Sequence, residues 1–151
     1  QERWPEAARP EDWEGVTMEN GRVVELELEE FGLTGAVPAE IGRLSALTKL
    51  DLGYNDLTSL PAEIGQLTAL EELYLHDNQL TSLPAEIGQL TSLEQLFLFN
   101  NQLTSLPAEI RQLTSLKRLY LDGNQLTSVP AEIWQLTGCE VKLDSAVTNL
   151  P

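Results

Sequence analysis

The octapeptide Leu57-Thr58-Ser59-Leu60-Pro61-Ala62-Glu63-Ile64 occurs again, unchanged, from Leu80 and from Leu103. It returns from Leu126 with one change, Val129 for leucine. The step is 23 residues each time, and a fixed period of this size marks a stack of repeats. Other columns keep the step: Leu47, Leu70, Leu93 and Leu116; Leu50, Leu73, Leu96 and Leu119; Leu52, Leu75, Leu98 and Leu121; Asn55, Asn78, Asn101 and Asn124. Each unit therefore reads L-x-x-L-x-L-x-x-N-x-L-x-x-L-P-x-x-I-x-x-L-x-x.

Leu50-Asp51-Leu52 alternates apolar and polar, which predicts a half-buried strand. The asparagine amide beyond the strand can donate and accept along a ladder of neighbouring backbones. It would satisfy groups that a tight turn otherwise orphans. Pro61 to Leu67 then returns the chain. Proline suits the first turn of a short helix, and Ile64 and Leu67 sit three apart on one face. A single unit cannot bury enough apolar surface to order its own backbone, so neighbours must stack.

These columns resemble the leucine-rich repeat superfamily from about residue 22 to residue 138. The resemblance implies an α/β solenoid, a curved right-handed coil with a parallel sheet on its concave face and short helices or 3-10 turns on its convex face. The LTSLPAEIGQL wording is most similar to the intracellular Ras-group type, and similar arrays occur in unicellular algae. The ends differ. Residues 24–46 form a 24-residue unit whose Leu33-Thr34-Gly35-Ala36-Val37-Pro38 wording resembles plant receptor-kinase repeats. Trp13-Glu14-Gly15-Val16-Thr17, followed by Gly21-Arg22-Val23-Val24-Glu25-Leu26, resembles the N-terminal cap of those receptors. In that cap a disulfide joins two cysteines whose places here hold Glu11 and Met18.

The reading is a cap over 1–23, five repeats over 24–46, 47–69, 70–92, 93–115 and 116–138, and a degenerate closing repeat over 139–151. Trp4 and Trp13 are expected to cover the open apolar end. Cys139 takes the column of Leu116 as a small hydrophobe. The next leucine columns fail at Lys142 and Asp144, while Val141 and Leu143 restore alternation after a slip of one residue. Leu150-Pro151 echoes the Leu-Pro pair.

The 151 residues carry 24 Asp and Glu against 9 Lys and Arg, a net charge of −15. That argues against nucleic acid, because phosphate contacts need cations, and against anionic lipid. No apolar stretch is long enough to span a membrane. One cysteine excludes an internal disulfide framework and a cysteine-based zinc cluster. The absent cap cysteines and the lack of an N-x-S/T sequon predict a cytoplasmic address. The chain opens at Gln1, so secretion after removal of a leader stays open.

Function should sit where copies of one unit differ. The outward strand positions form four columns. The first holds Glu25, Lys49, Glu72, Gln95 and Arg118, and the second Glu27, Asp51, Tyr74, Phe97 and Tyr120. The third holds Glu29, Gly53, His76, Phe99 and Asp122, and the fourth Glu30, Tyr54, Asp77, Asn100 and Gly123. Five of the six Phe and Tyr residues fall here, with Phe31 the exception. Clustered aromatics on a sheet face have the composition of a binding hot spot; cross-strand pairing would produce the same cluster. The binding reading takes Tyr54, Tyr74, His76, Phe97, Phe99 and Tyr120 as anchors. Glu25, Glu27, Glu29 and Asp51 would draw a basic partner or a divalent cation, or simply keep the edge solvated. On the convex side Trp134 reads as a lid over the last repeat.

Catalysis has little support. His76 is the one histidine, and the Ser and Thr residues lie mainly in the repeated turn. No phosphate-binding loop, dinucleotide, zinc-protease or calcium-loop motif occurs. The expectation is a non-catalytic, cofactor-free monomer that recognises another protein through its concave face, the partner surface being basic with an apolar centre. The alternatives are a peptide- or glycan-sensing part of a receptor, and a structural or regulatory segment of a larger chain.

Overall fold

The computed structural model describes residues 9–147. Their order is η1 (Pro10–Asp12), β1 (Val16–Glu19), β2 (Arg22–Glu27), β3 (Thr34–Ala36), η2 (Ala39–Arg43), β4 (Lys49–Asp51), β5 (Asp56–Ser59), η3 (Ala62–Gln66), β6 (Glu72–Tyr74), η4 (Ala85–Gln89), β7 (Gln95–Phe97), η5 (Ala108–Gln112), β8 (Arg118–Tyr120), η6 (Ala131–Gln135) and β9 (Glu140–Lys142), where each η is a 3-10 helix. One seven-stranded sheet runs β1-β2-β4-β6-β7-β8-β9. All its pairs are parallel except β1 with β2. This is the leucine-rich-repeat solenoid.

Repetition places like beside like. Leu26, Leu50, Leu73, Leu96 and Leu119 are cross-strand partners in one row. The leucine and isoleucine columns line one continuous core, most of them with no exposed surface.

The asparagines do what the spacing predicts. Asn78 donates through Nδ2 to the Leu52 carbonyl of the preceding unit (2.9 Å) and accepts at Oδ1 from Leu57 N–H (2.9 Å). Asn101 bonds Leu75 O and Leu80 N in the same way, and Asn124 bonds Leu98 O and Leu103 N. Asn55 meets the first unit, accepting from both Phe31 N and Leu33 N. Each amide thus stitches its own turn to the one before. Among the described residues no buried side-chain nitrogen or oxygen lacks a partner.

The return segments are 3-10 turns. Each of η2 to η6 follows a proline that sits at the N-cap, one residue earlier than the expected first turn. Its extended backbone there needs no N–H donor. A glycine column lets these turns stack closely: a Cβ on Gly65 would lie 2.7 Å from the Glu86 carbonyl, and Gly42 and Gly88 meet the same limit. Arg111 and Trp134 break the column, and η5 and η6 touch more sparsely than the earlier pairs.

Three strands, β1, β3 and β5, escaped the sequence reading. β1 pairs antiparallel with β2 and covers the first edge of the sheet. β3, from the 24-residue unit, pairs with β5 in a separate two-stranded sheet. Trp13 packs with Pro10, Val16, Val23, Leu26 and Leu44 around an apolar hollow of about 200 Å³; Trp4 lies outside the described residues. At the other end Leu119 pairs with Val141, a step of 22, so the slip is real. Cys139 is half-buried against the core, and burial, helped by Glu140, pushes its thiol up to about 11. Asp144, a failed leucine column, accepts the Gly123 N–H at 3.0 and 3.1 Å. Leu150-Pro151 lies outside the described residues.

Asn101→Ala should cost about 1–3 kcal/mol for each backbone group it leaves unpaired. Gly65→Ala should cost about 1–3 kcal/mol by overpacking. Thr58→Ala, on the exposed side of the same turn, should stay within about 0.5 kcal/mol. Urea unfolding midpoints check all three.

Candidate recognition face

The cross-strand register sets the outward columns. Glu25, Lys49, Glu72, Gln95, Arg118 and Glu140 stand in one row, and Glu27, Asp51, Tyr74, Phe97, Tyr120 and Lys142 in the next. Adjacent parallel strands lie about 4.8 Å apart, within the centroid separation of about 4.5–7 Å that aromatic pairs favour. The aromatic row stacks accordingly. Tyr74 and Phe97 are 4.8 Å apart, and Phe97 and Tyr120 are 4.6 Å apart and nearly parallel, at 9°. Lys142 lies 4.2 Å above the Tyr120 ring, and Lys49 lies 6.0 Å from the Tyr74 ring. Along this row Phe97 and Tyr120 stack, Tyr74 leans on Phe97 at 38° with Asp51 as its neighbour across the strands, and Lys142 covers the outer side of Tyr120.

A second row sits where the strands end. His76 stacks on Phe99 at 4.6 Å and 8°, and Tyr54 meets His76 edge-on at 5.1 Å. Gly53 makes this possible, because a Cβ there would stand 2.6 Å from the imidazole. Asp77, with φ of 55°, turns its carboxylate back to His76 Nδ1 at 3.0 Å. The bend overrides the strand alternation that would have held the two apart.

Tyr54 also has φ of 52°. A bulky side chain in the left-handed region carries a cost and marks a position where another use competes with local stability. Tyr54 is 49% exposed and is the exposed large hydrophobic residue among those described. The other five anchors are half-buried by their contacts with one another. Of the six anchors only Tyr54 stands open to solvent.

Of the acidic residues, Asp51 stands beside Tyr74 across the strands, and Glu25, Glu27 and Glu29 lie on or just beyond the outer strand. Glu27 pairs with Lys49 at 2.7 Å, a contact that raises the lysine pKa. Asp51 accepts from Gly53 N at 3.0 Å. Glu25 is half-buried on the outer strand, and Glu29 is exposed. No group of three or more His, Cys, Asp or Glu side chains is placed to share a metal ion among the described residues.

Sequence reasoning missed Lys142, and it placed Asp122 in an outward column without counting it among the site residues. With Phe97, Phe99 and Tyr120 they line a hollow of about 290 Å³. Carrying the aromatic column across the one-residue slip would have reached Lys142. The hydroxyls are tied to carboxylates: Tyr74 donates to Glu72 at 2.8 Å and Tyr120 to Glu140 at 3.3 Å. Burial first, and the Glu72 bond second, push the Tyr74 phenol above the usual tyrosine range.

The family model for a leucine-rich repeat region matches residues 25–102, and the model for two copies of leucine-rich repeats matches residues 91–132. A chain in the crystal structure of the BIR3–SERK2 complex from Arabidopsis thaliana is 30% identical; the likeness covers 96% of this chain and 81% of that one, with a TM-score of 0.80. The BIR2 ectodomain from the same plant is 25% identical over 99% of this chain and 85% of its own, with a TM-score of 0.82. The ectodomain of the Arabidopsis receptor kinase HAESA, solved with an N-terminally extended IDA peptide hormone, is 27% identical over 91% of this chain and 28% of its own, with a TM-score of 0.64.

These likenesses overturn the cytoplasmic address. Several of the similar structures are receptor-kinase ectodomains, which points to an extracellular or secreted setting. The inference from missing cysteines failed for a physical reason. A cap needs its apolar end covered, and β1 with Trp13 does that without a covalent bond.

Tyr54→Gly should leave stability nearly unchanged. It relieves a left-handed side chain, about 1–2 kcal/mol, and loses a ring contact of about 0.5–1.5 kcal/mol. Leu96→Ala in the core should cost about 2–5 kcal/mol. Thermal unfolding of both variants gives the comparison. For Tyr74, a folded pKa above the unfolded value means that the fold holds the proton more tightly. That contribution is complete below about pH 10 and fades as pH rises through the folded value. Tyr74→Phe should therefore flatten the alkaline loss of stability, measured by urea unfolding on either side of about pH 10.

Proposed function

The chain belongs to the leucine-rich repeat family, and we propose that it is the ligand-sensing part of a receptor-like protein, taking an extended peptide across its concave face. The recognition is non-catalytic. One observation supports this reading: ring faces in the aromatic row are largely taken up by neighbouring rings and by Lys142, which leaves mainly ring edges to a ligand.

The choice of ligand follows from that orientation. A sugar ring or an organic cation is held over an open aromatic face, and the row has little of that to spare. Ring edges carry the positive end of the aromatic quadrupole. They suit main-chain carbonyls and aliphatic side chains, which an extended peptide supplies in alternation. The hollow beside Phe97, Phe99 and Tyr120 gives one such side chain a seat, with Asp122 and Lys142 at its rim for the flanking amide and carbonyl. The HAESA ectodomain, which has the same fold, was solved with a peptide.

The net charge of −15 favours a ligand with a basic surface around its apolar centre. Glu25, Glu27, Glu29 and Asp51 steer the approach; Tyr54, Tyr74, His76, Phe97, Phe99 and Tyr120 hold what arrives. The protein acts as a monomer.

Selection from a peptide display library and binding to a glycan array, run on the same preparation, separate peptide from glycan. For a selected peptide, Phe97→Ala should raise the dissociation rate at any salt concentration, with a loss of about 2 kcal/mol or more. Replacing Glu25, Glu27 and Glu29 by Gln should slow association, mainly at low salt. Surface plasmon resonance reads both rates. Binding lost with Glu63→Lys plus Glu86→Lys, or with Trp134→Ala, while Phe97→Ala binds normally, would move the site to the convex face or the end.

A further inference from the structure

We propose that a second site, remote from the concave aromatics, binds a dianionic tetrahedral oxyanion, phosphate or sulfate, free or as a monoester on a larger ligand. It is a hollow of about 220 Å³ at the N-terminal flank, lined by Arg22, Arg43, Ser45, Met18, Gly21 and Leu44 among others. No carboxylate lines it.

The charge pattern is the first argument. Carboxylates outnumber basic side chains by 24 to 9. Among the described residues Arg9, Lys49 and Lys117 sit in ion pairs, whereas Arg22, Arg43, Arg111, Arg118 and Lys142 do not. Arg22 and Arg43 share one hollow, and neither is ion-paired among the described residues.

The second argument is preorganisation. Arg22 Nη2 donates to Ser45 Oγ across a sequence separation of 23. That bond ties one side of the Arg22 guanidinium to the rim of the hollow, where Arg22, Arg43 and Ser45 are all exposed. It leaves the serine O–H free to donate, because Oγ is the acceptor. The backbone is also open there. Asn20 and Gly21 have φ of 52° and 75°, and nothing lies within 4 Å of a Cβ built on Gly21.

The ligand class follows from the donors. Two guanidinium forks and a hydroxyl are all donors, and each fork matches a pair of anionic oxygens. A carboxylate would satisfy one fork only. A tetrahedral dianion has oxygens for both forks and for the serine. Two influences oppose it. The distant negative charges are screened beyond about 8 Å at physiological salt. Glu40 and Glu63 share a neighbouring hollow with Arg43 and compete for it from the other side.

The test uses the whole chain, labelled with ¹⁵N, titrated at constant ionic strength with sodium phosphate, sodium sulfate, sodium acetate and phenyl phosphate. Phosphate and sulfate should give saturable shifts at the Gly21, Ser45 and Ala46 amides, and acetate should bind more weakly. Arg22→Gln and Arg43→Gln should each weaken binding about tenfold or more. Arg22→Lys, which keeps the charge but loses the fork, should fall between. Glu63→Gln should tighten it. Unmoved Leu73 and Leu96 amides confirm that each variant is folded. Phenyl phosphate binding as well as phosphate assigns the site to a monoester, and weaker binding assigns it to the free anion. Shifts that do not saturate, that acetate matches, or that survive both arginine changes overturn the proposal. Neither result depends on peptide binding at the concave face.

Discussion

Everything in this molecule hangs on the side-chain amide of one asparagine per turn. A tight turn between a three-residue strand and its return leg strands carbonyls and N–H groups inside the coil, away from water. Asn55, Asn78, Asn101 and Asn124 reach them, and each reaches into the previous turn as well as its own. The same bonds therefore close each turn and join it to its neighbour. Leucine burial supplies the larger share of the driving force, but it is not directional. The amides set the register, and the register puts every leucine opposite a leucine.

That register has a second effect, on the outside. A column that repeats in the core also repeats on the surface, so any ring placed on one strand meets the residue one turn on. Tyr74, Phe97 and Tyr120 contact one another in series because the strand spacing falls within the centroid separation that aromatic pairs favour. Stacking buries the faces and makes the row part of the fold as well as a surface. Tyr54 stands outside this economy. It sits beyond the strand ends, in a left-handed turn where glycine or asparagine would be easier.

Much of this was legible in the sequence. The period of 23, the four leucine columns and the asparagine ladder all follow from residue types at fixed spacing. The outward columns were legible too, because a strand alternates. What escaped was whatever the repeat does not encode. β1 and β3 come from the atypical ends, where no second copy gives a comparison. The proline position differs by one residue, since a cap and a first turn ask the same of a proline ring. Asp144 read as a lost leucine, yet it takes a backbone N–H that the next turn would otherwise meet. Lys142 was hidden behind the slip at β9. The address was misjudged because a disulfide is one of several ways to close an apolar end.

The in-register parallel sheet also works as a scale. Its columns recur about every 4.8 Å across the strands, while an extended chain laid across them shows same-side residues about every 6.7 Å. The two rulings are incommensurate, like the main scale and the sliding scale of a vernier. A ligand residue seated on one strand leaves its next same-side neighbour between strands. Coincidence returns only after about three ligand steps and four strands, near 20 Å. A surface that looks periodic from within is thus aperiodic to its guest. Two well-placed seats settle the fit, and the columns between them can drift in sequence without changing what is read.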